Sequence, residues 1–206
     1  MLGFGMKFFF AQIFFMFLMS TNEIFITKFF SAADVVDYSI YYRLFTAVGS
    51  LFMLALTPLW SKVTRDLTQK KYAVIQKTNR VLYLLAAVAG LAQLAILPFL
   101  QWIINIWLGD EAIAVHMPTA MIFALFGSLY IFNVVLTTVA NGMGELRTQM
   151  LFYGIGAALK IPAVFLLTRA GRSIMWNIVP LFNCVVLAVF CIYQLVWIER
   201  KIKQLI

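Results

Sequence analysis

Charge is scarce in this sequence. Only 12% of its 206 residues are Asp, Glu, Lys or Arg, and 64% are hydrophobic. A soluble domain is about a quarter charged and nearer half apolar, so a water-soluble globular protein is excluded and the chain reads as an integral membrane protein. Histidine is scarcer still. His116 stands alone, in a segment between apolar runs, so no His-x-x-x-His metal pair exists. Two cysteines, Cys184 and Cys191, lie seven residues apart in one apolar run. On a helix that is about 10 Å of rise, too far for a disulfide, whose Cα atoms lie within about 7 Å. A CxxC pattern is absent too. The apolar runs do not alternate with polar residues, which excludes a β-barrel.

Catalytic signatures are equally missing. "NGMGELR" at 141–147 carries two glycines, but it lacks the Lys-Ser/Thr of a phosphate-binding loop and follows no strand. It reads as a tight turn between two helices. No metal and no enzyme activity is expected.

What the sequence does have is long apolar helices. Spans are read at about 5–29, 37–60, 81–107, 118–140, 148–168 and 175–198, each long enough to cross a bilayer with some tilt. The first run is too long for a cleavable signal, and no small-residue cleavage site follows it. The net charge of +8 does not point to nucleic acid, because the basic residues lie between spans. Lys62, Arg65, Lys70, Lys71, Lys77 and Arg80 share one polar segment, and Arg200, Lys201 and Lys203 share the tail. Such a bias places both segments in the cytoplasm, where they can meet anionic lipid headgroups. The connections 30–36 and 108–117 carry Asp34, Asp110 and Glu111 but no Lys or Arg; "RAGRSI" at 169–174 is the exception, with Arg169 and Arg172 outside. Both termini are therefore expected inside. Trp60, Trp107, Trp176 and Trp197 fall at span ends, as interfacial indoles do. Segment 61–80 is either a short surface-lying helix or a solvated connector. Pro58, Pro98, Pro162 and Pro180 are expected to kink spans, whereas Pro118 opens one.

Polar residues within the spans fall on single helical faces. The first span has Gln12, Met16, Ser20, Glu23 and Thr27; the second Arg43, Thr46, Ser50 and Thr57; the fourth Tyr130, Asn133, Thr137 and Asn141; the fifth Gln149, Tyr153, Gly156 and Lys160. An ionised side chain at mid-depth costs about 2.5–3.5 kcal/mol against lipid. Glu23, Arg43 and Lys160 are therefore expected either to pair with one another or to face a water-filled cavity. Two cations against one anion favour an anionic substrate. Lys28, near a span end, can reach the headgroups by snorkelling.

The order of motifs also resembles a family. "STNEIFITKFFSAADVVDYSIYYRLF" at 20–45, "TPLW" at 57–60, "IWLG" at 106–109 and "NGMGELRTQ" at 141–149 resemble the second half of the polysaccharide flippases. Those belong to the multidrug/oligosaccharidyl-lipid/polysaccharide exporter superfamily. Thr21, Asn22, Ile24 and Ile26, then Tyr38, Ser39, Ile40, Arg43 and Leu44, occupy the pattern positions. The resemblance implies an all-α, six-helix membrane bundle forming one lobe of a MATE-like transporter. It implies export of undecaprenyl-pyrophosphate-linked oligosaccharide across the bacterial inner membrane, for O-antigen or other surface-polysaccharide synthesis. A second lobe, from another chain or a second copy, would complete the central cavity.

The expected partners are lipid-linked oligosaccharide and membrane lipid, not nucleic acid. No cofactor is expected, and coupling to a proton or sodium gradient stays open. Candidate cavity residues are Asn22, Glu23, Arg43, Asn133 and Lys160. Glu23 would balance or gate the two cations by protonation. The alternatives are a multidrug or cation antiporter lobe of the same superfamily, and a non-transporting membrane scaffold or remnant.

Overall fold

The computed structural model describes residues 2–109, 113–170 and 176–206. The readings made of Asp110, Glu111 and Arg172 fall outside them, as does the side chain of Arg169. The described chain folds into eight α-helices and one 3₁₀ turn: α1 Leu2–Ser20, α2 Asn22–Phe29, α3 Ala32–Thr68, α4 Tyr72–Ile96, the 3₁₀ turn Leu97–Phe99, α5 Leu100–Leu108, α6 Met117–Gly142, α7 Arg147–Ala170 and α8 Ile178–Leu205. Six helical segments are long and apolar enough to cross a membrane. The protein is an all-α, multi-pass membrane bundle.

Local chemistry accounts for the breaks. Ser31 caps α3: its Oγ accepts from the Asp34 backbone N–H at 3.2 Å and donates to the Asp34 carboxylate at 2.6 Å, a serine N-cap whose hydroxyl is held by the first-turn carboxylate. Pro98 removes a backbone donor, and the chain there tightens into the 3₁₀ turn between α4 and α5. Pro118 sits in the first turn of α6, where a missing N–H costs nothing.

Two turns at the same end of the bundle close in one way. After α6, the Glu145 N–H donates to the Ala140 carbonyl at 2.8 Å and the Gly144 N–H to the Asn141 carbonyl at 3.0 Å, with Gly144 at φ +77°. That is a Schellman closure with glycine in the left-handed position, and it explains the "NGMGE" run. After α3, the Lys71 N–H reaches the Asp66 carbonyl at 2.9 Å and the Lys70 N–H the Leu67 carbonyl at 3.0 Å. Here the left-handed residue is Lys70, at φ +56°.

Segment 61–80 is thus neither a surface-lying helix nor a connector. It is the end of α3, a three-residue turn and the start of α4. The 37 residues of α3 span about 55 Å, against a hydrocarbon core of about 30 Å. The extension stays helical because Val63 is buried against Gly142 of α6 and the Thr64 hydroxyl donates to the Gly142 carbonyl at 2.9 Å.

Helix α6 is the centre of the bundle. It packs on α3, α4 and α8, while α1 packs on α7 and α2 on α3. Its buried residues, Phe123, Phe126, Ile131 and Val135 among them, form the middle of one apolar core. Trp176 belongs to that core rather than to an interfacial belt. It is buried against Tyr38, Tyr41 and Phe123. Cys184 and Cys191 are free, buried packing residues.

Candidate functional site: a polar cleft between α1 and α3

Helices α1 and α3 pack mainly on different neighbours, α1 on α7 and α3 on α6. The space between them is a cavity of about 250 Å³. Its floor is α6 and its far wall is α7. All four polar residues of the α6 stripe, Tyr130, Asn133, Thr137 and Asn141, line it. Gln12 of α1, Thr57 of α3 and both Gln149 and Tyr153 of α7 join them. Residues from four stripes, read separately along the chain, thus line one place: the whole α6 stripe, two members of the α7 stripe and one each from α1 and α3.

The polar groups are organised. Asn133 donates from Nδ2 to the Tyr153 hydroxyl, and Gln149 donates from Nε2 to Asn141 Oδ1 at 2.7 Å. Both α6 threonines turn back on their own helix: Thr137 Oγ1 donates to the Asn133 carbonyl at 2.8 Å and Thr138 Oγ1 to that of Val134 at 2.8 Å. Such back-bonding satisfies the hydroxyl proton and leaves the oxygen free to accept. Aromatic rings cover the rest. Phe15 lies parallel to Tyr130 at 6.4 Å and tilted on Tyr153 at 5.0 Å. Phe8 and Trp60, 5.4 Å apart, meet across the gap between α1 and α3.

A ring ladder leads onward. Tyr130 stacks on Phe126 at 6.4 Å, Phe126 meets Tyr42 at 5.9 Å, and Tyr42 stacks on Tyr38 at 5.4 Å. Tyr42 and Tyr38 then border a second cleft of about 200 Å³ with Met19, Ser20 and Glu23.

The structure does not bring the five sequence-selected residues together. Of them, Asn133 alone lines the main cavity. Glu23 is exposed on the smaller cleft. Arg43 is exposed on another side of α3, in a groove with Val36, Ile40 and Trp107. Neither pairs with Lys160. Among the described residues the ion pairs are Lys62–Asp66 at 2.9 Å and Arg65–Asp66 at 4.0 Å. Of the two alternatives for Glu23, an ion pair with Arg43 or Lys160 is absent among the described residues, and its side chain borders a cleft. The helical stripe was real, but Arg43 lies at its edge and turns away from the α1–α3 gap.

Lys160 has a different role. It is completely buried, and its ammonium donates to the Leu18 carbonyl, to Thr21 Oγ1 at 3.0 Å and to Asn22 Oδ1. The ring of Phe25 lies 5.5 Å away. These acceptors sit where the first span breaks between α1 and α2, so Lys160 pins the discontinuity. Asn22 also donates to the Tyr38 hydroxyl at 2.6 Å and accepts from Asn183 Nδ2 at 3.0 Å. Asn22 and Lys160 are thus buried structural partners. Sequence reading missed Asn183, although an asparagine inside the sixth span is the same signal that marked Asn133. Among the described residues no group of three or more His, Cys, Asp or Glu could hold a metal ion.

No protein-family model, no curated protein and no solved structure matches the chain. The fold and the cleft define its class as a multi-pass, six-span membrane bundle with a polar internal site.

Proposed function

We propose that this chain is one lobe of a transporter that passes lipid-linked oligosaccharide repeat units across a bacterial inner membrane for surface-polysaccharide synthesis. One observation carries the reading. Polar residues from four helices, most of them from α6 and α7, line one cleft walled by amides, hydroxyls and aromatic rings. Sugar hydroxyls donate and accept at once, as amides do, and the apolar face of a sugar ring packs on an aromatic ring. Polar groups facing a cavity inside a membrane bundle are costly unless they meet a ligand or water.

The basic residues fit the same reading. Arg65, Lys70, Lys71, Lys77 and Arg80 cluster at the α3–α4 turn, with Arg200, Lys201 and Lys203 in the tail. Their charge attracts anionic headgroups and a lipid diphosphate. A second lobe, another chain or a second copy, would complete the pathway by moving against this one. A drug or cation antiporter is less well supported, because none of the residues lining the main cavity is a carboxylate.

The test is transport of a fluorescent lipid-linked oligosaccharide in proteoliposomes holding the chain with its second lobe. Tyr130→Ala and Asn133→Leu should each slow movement by about tenfold, whereas Arg43→Ala should leave it unchanged. Collapsing a proton or a sodium gradient in the same vesicles identifies the driving ion. No movement of the oligosaccharide by the assembled lobes would refute the reading.

A further inference from the structure

Resting on that reading, we infer that the main cleft seats a single uncharged sugar ring and excludes acidic sugars. Size sets the first limit. At about 250 Å³ the cavity falls below the range of about 300–1,000 Å³ that takes drug-sized ligands, so it holds one ring of a repeat unit rather than the whole.

Hydrogen-bond capacity sets the second. Asn133, Gln149 and Asn141 are 3%, 1% and 9% exposed, so their amides are built into the wall. Asn133 spends one N–H on Tyr153, and Gln149 spends its two on Asn141 Oδ1 and the Glu145 carbonyl. Left without protein partners among the described residues are the acceptor oxygens Asn133 Oδ1 and Gln149 Oε1 and the donors Asn141 Nδ2, the second Asn133 N–H and the Tyr153 hydroxyl proton, with the Gln12 amide on the rim. A neutral sugar satisfies both kinds, because each hydroxyl donates and accepts. An ionised carboxylate only accepts, so it would leave both amide oxygens, Asn133 Oδ1 and Gln149 Oε1, unpaired.

Charge sets the third. None of the fifteen lining residues carries a charge. An ionised ligand would lose its hydration there with no counter-charge to offset the loss. The two mid-span cations are elsewhere: the Lys160 ammonium is held by the α1–α2 break, and Arg43 lies in the Trp107 groove. The ionisable side chain at the far end of the ring ladder is the carboxyl of Glu23, which supplies no positive counter-charge. The surplus of cations counted along the sequence therefore does not carry over to the cleft.

Trp60 lines the cavity and provides the probe. The full chain, in nanodiscs free of sugar-based detergent, is titrated with N-acetylglucosamine and with glucuronate at one pH and ionic strength. N-acetylglucosamine should quench the fluorescence saturably, and glucuronate should bind at least tenfold more weakly. Trp60→Phe should remove the signal. Gln12→Leu, an exposed position on the rim that the fold tolerates, should weaken N-acetylglucosamine binding about three- to tenfold, the effect of one lost neutral hydrogen bond. Glucuronate binding as tightly as N-acetylglucosamine would overturn the inference and leave the transporter reading standing. Binding of neither, or a quench that survives Trp60→Phe, would overturn the sugar site and remove the observation on which the transporter reading rests.

Discussion

Gly142, the last residue of α6, controls how closely α3 can approach, and Gly142→Ala should destabilise the bundle by about 1–3 kcal/mol. An alanine Cβ there would lie 2.6 Å from Val63 Cβ, 2.8 Å from Val63 Cγ1 and 2.9 Å from the Trp60 carbonyl oxygen. Ordinary carbon–carbon contacts lie at about 3.5–4.0 Å, so α3 or α6 must yield by roughly 1 Å. Val63 cannot step aside cheaply: it is buried, and β-branching restricts its rotamers. Overpacking of this kind costs about 1–3 kcal/mol. Stretching the Thr64 hydroxyl bond to the Gly142 carbonyl adds about 0.5–1.5 kcal/mol. The better helix propensity of alanine returns about 0.5–1 kcal/mol.

Gly5→Ala isolates that last contribution. No atom lies within 4 Å of a Cβ at Gly5, so that variant should be neutral or slightly more stable. Equilibrium unfolding in mixed micelles, followed by far-UV circular dichroism, measures both. Gly142→Ala within about 0.5 kcal/mol of the parent, the usual effect of a featureless surface change, would refute the packing argument. The displacement would also move Trp60, so sugar quenching should weaken in parallel.

Further tests concern the turns and the buried cation. Lys70→Gly should stabilise the protein by about 0.5–1 kcal/mol, because a left-handed residue with a Cβ is strained by about 1–2 kcal/mol and glycine returns part of that as chain entropy; no gain in unfolding free energy would count against the turn geometry. Gly144→Ala should do the reverse, losing about 1 kcal/mol or slightly more in the same assay. Asn22→Leu strips an acceptor from the buried Lys160 ammonium and a partner from both Tyr38 and Asn183, and should cost about 3–5 kcal/mol. Adding Lys160→Met to that variant should recover part of the loss by removing the uncompensated charge, a coupling that a double-mutant cycle measures.

How much of the cleft was legible follows from which physical rule each residue obeys. Tyr130, Asn133, Thr137 and Asn141 were found as a face from helical spacing alone, and all four line the cavity. Spacing works there because α6 is continuous and central, so one face of it sees one environment. The rule failed at the charged residues. Ranking Glu23, Arg43 and Lys160 by the cost of exposing them to lipid identified groups needing an environment, but did not say which one. Lys160 found backbone and amide oxygens at a helix break that lacks a proline and so left little trace in "MSTNEI". Arg43 and Glu23 ended on different grooves because a few tens of degrees around a helix decide which neighbour a side chain meets.

Composition, hydropathy and the distribution of Lys and Arg determined by themselves that this chain is an all-helical, six-span membrane protein, and nearly where each span lies. They suffice because the bilayer penalises every unpaired backbone group and every exposed charge, whatever the partners. The tertiary structure alone decided that α3 continues unbroken for 37 residues to a three-residue turn before α4, that Trp176 is core and not belt, that Lys160 is a pin, and that the residues lining the polar cleft between α1 and α3 are uncharged. Those outcomes depend on which helices touch, and contact between segments more than a hundred residues apart, such as Lys160 with Leu18, is not written in any local stretch of the chain.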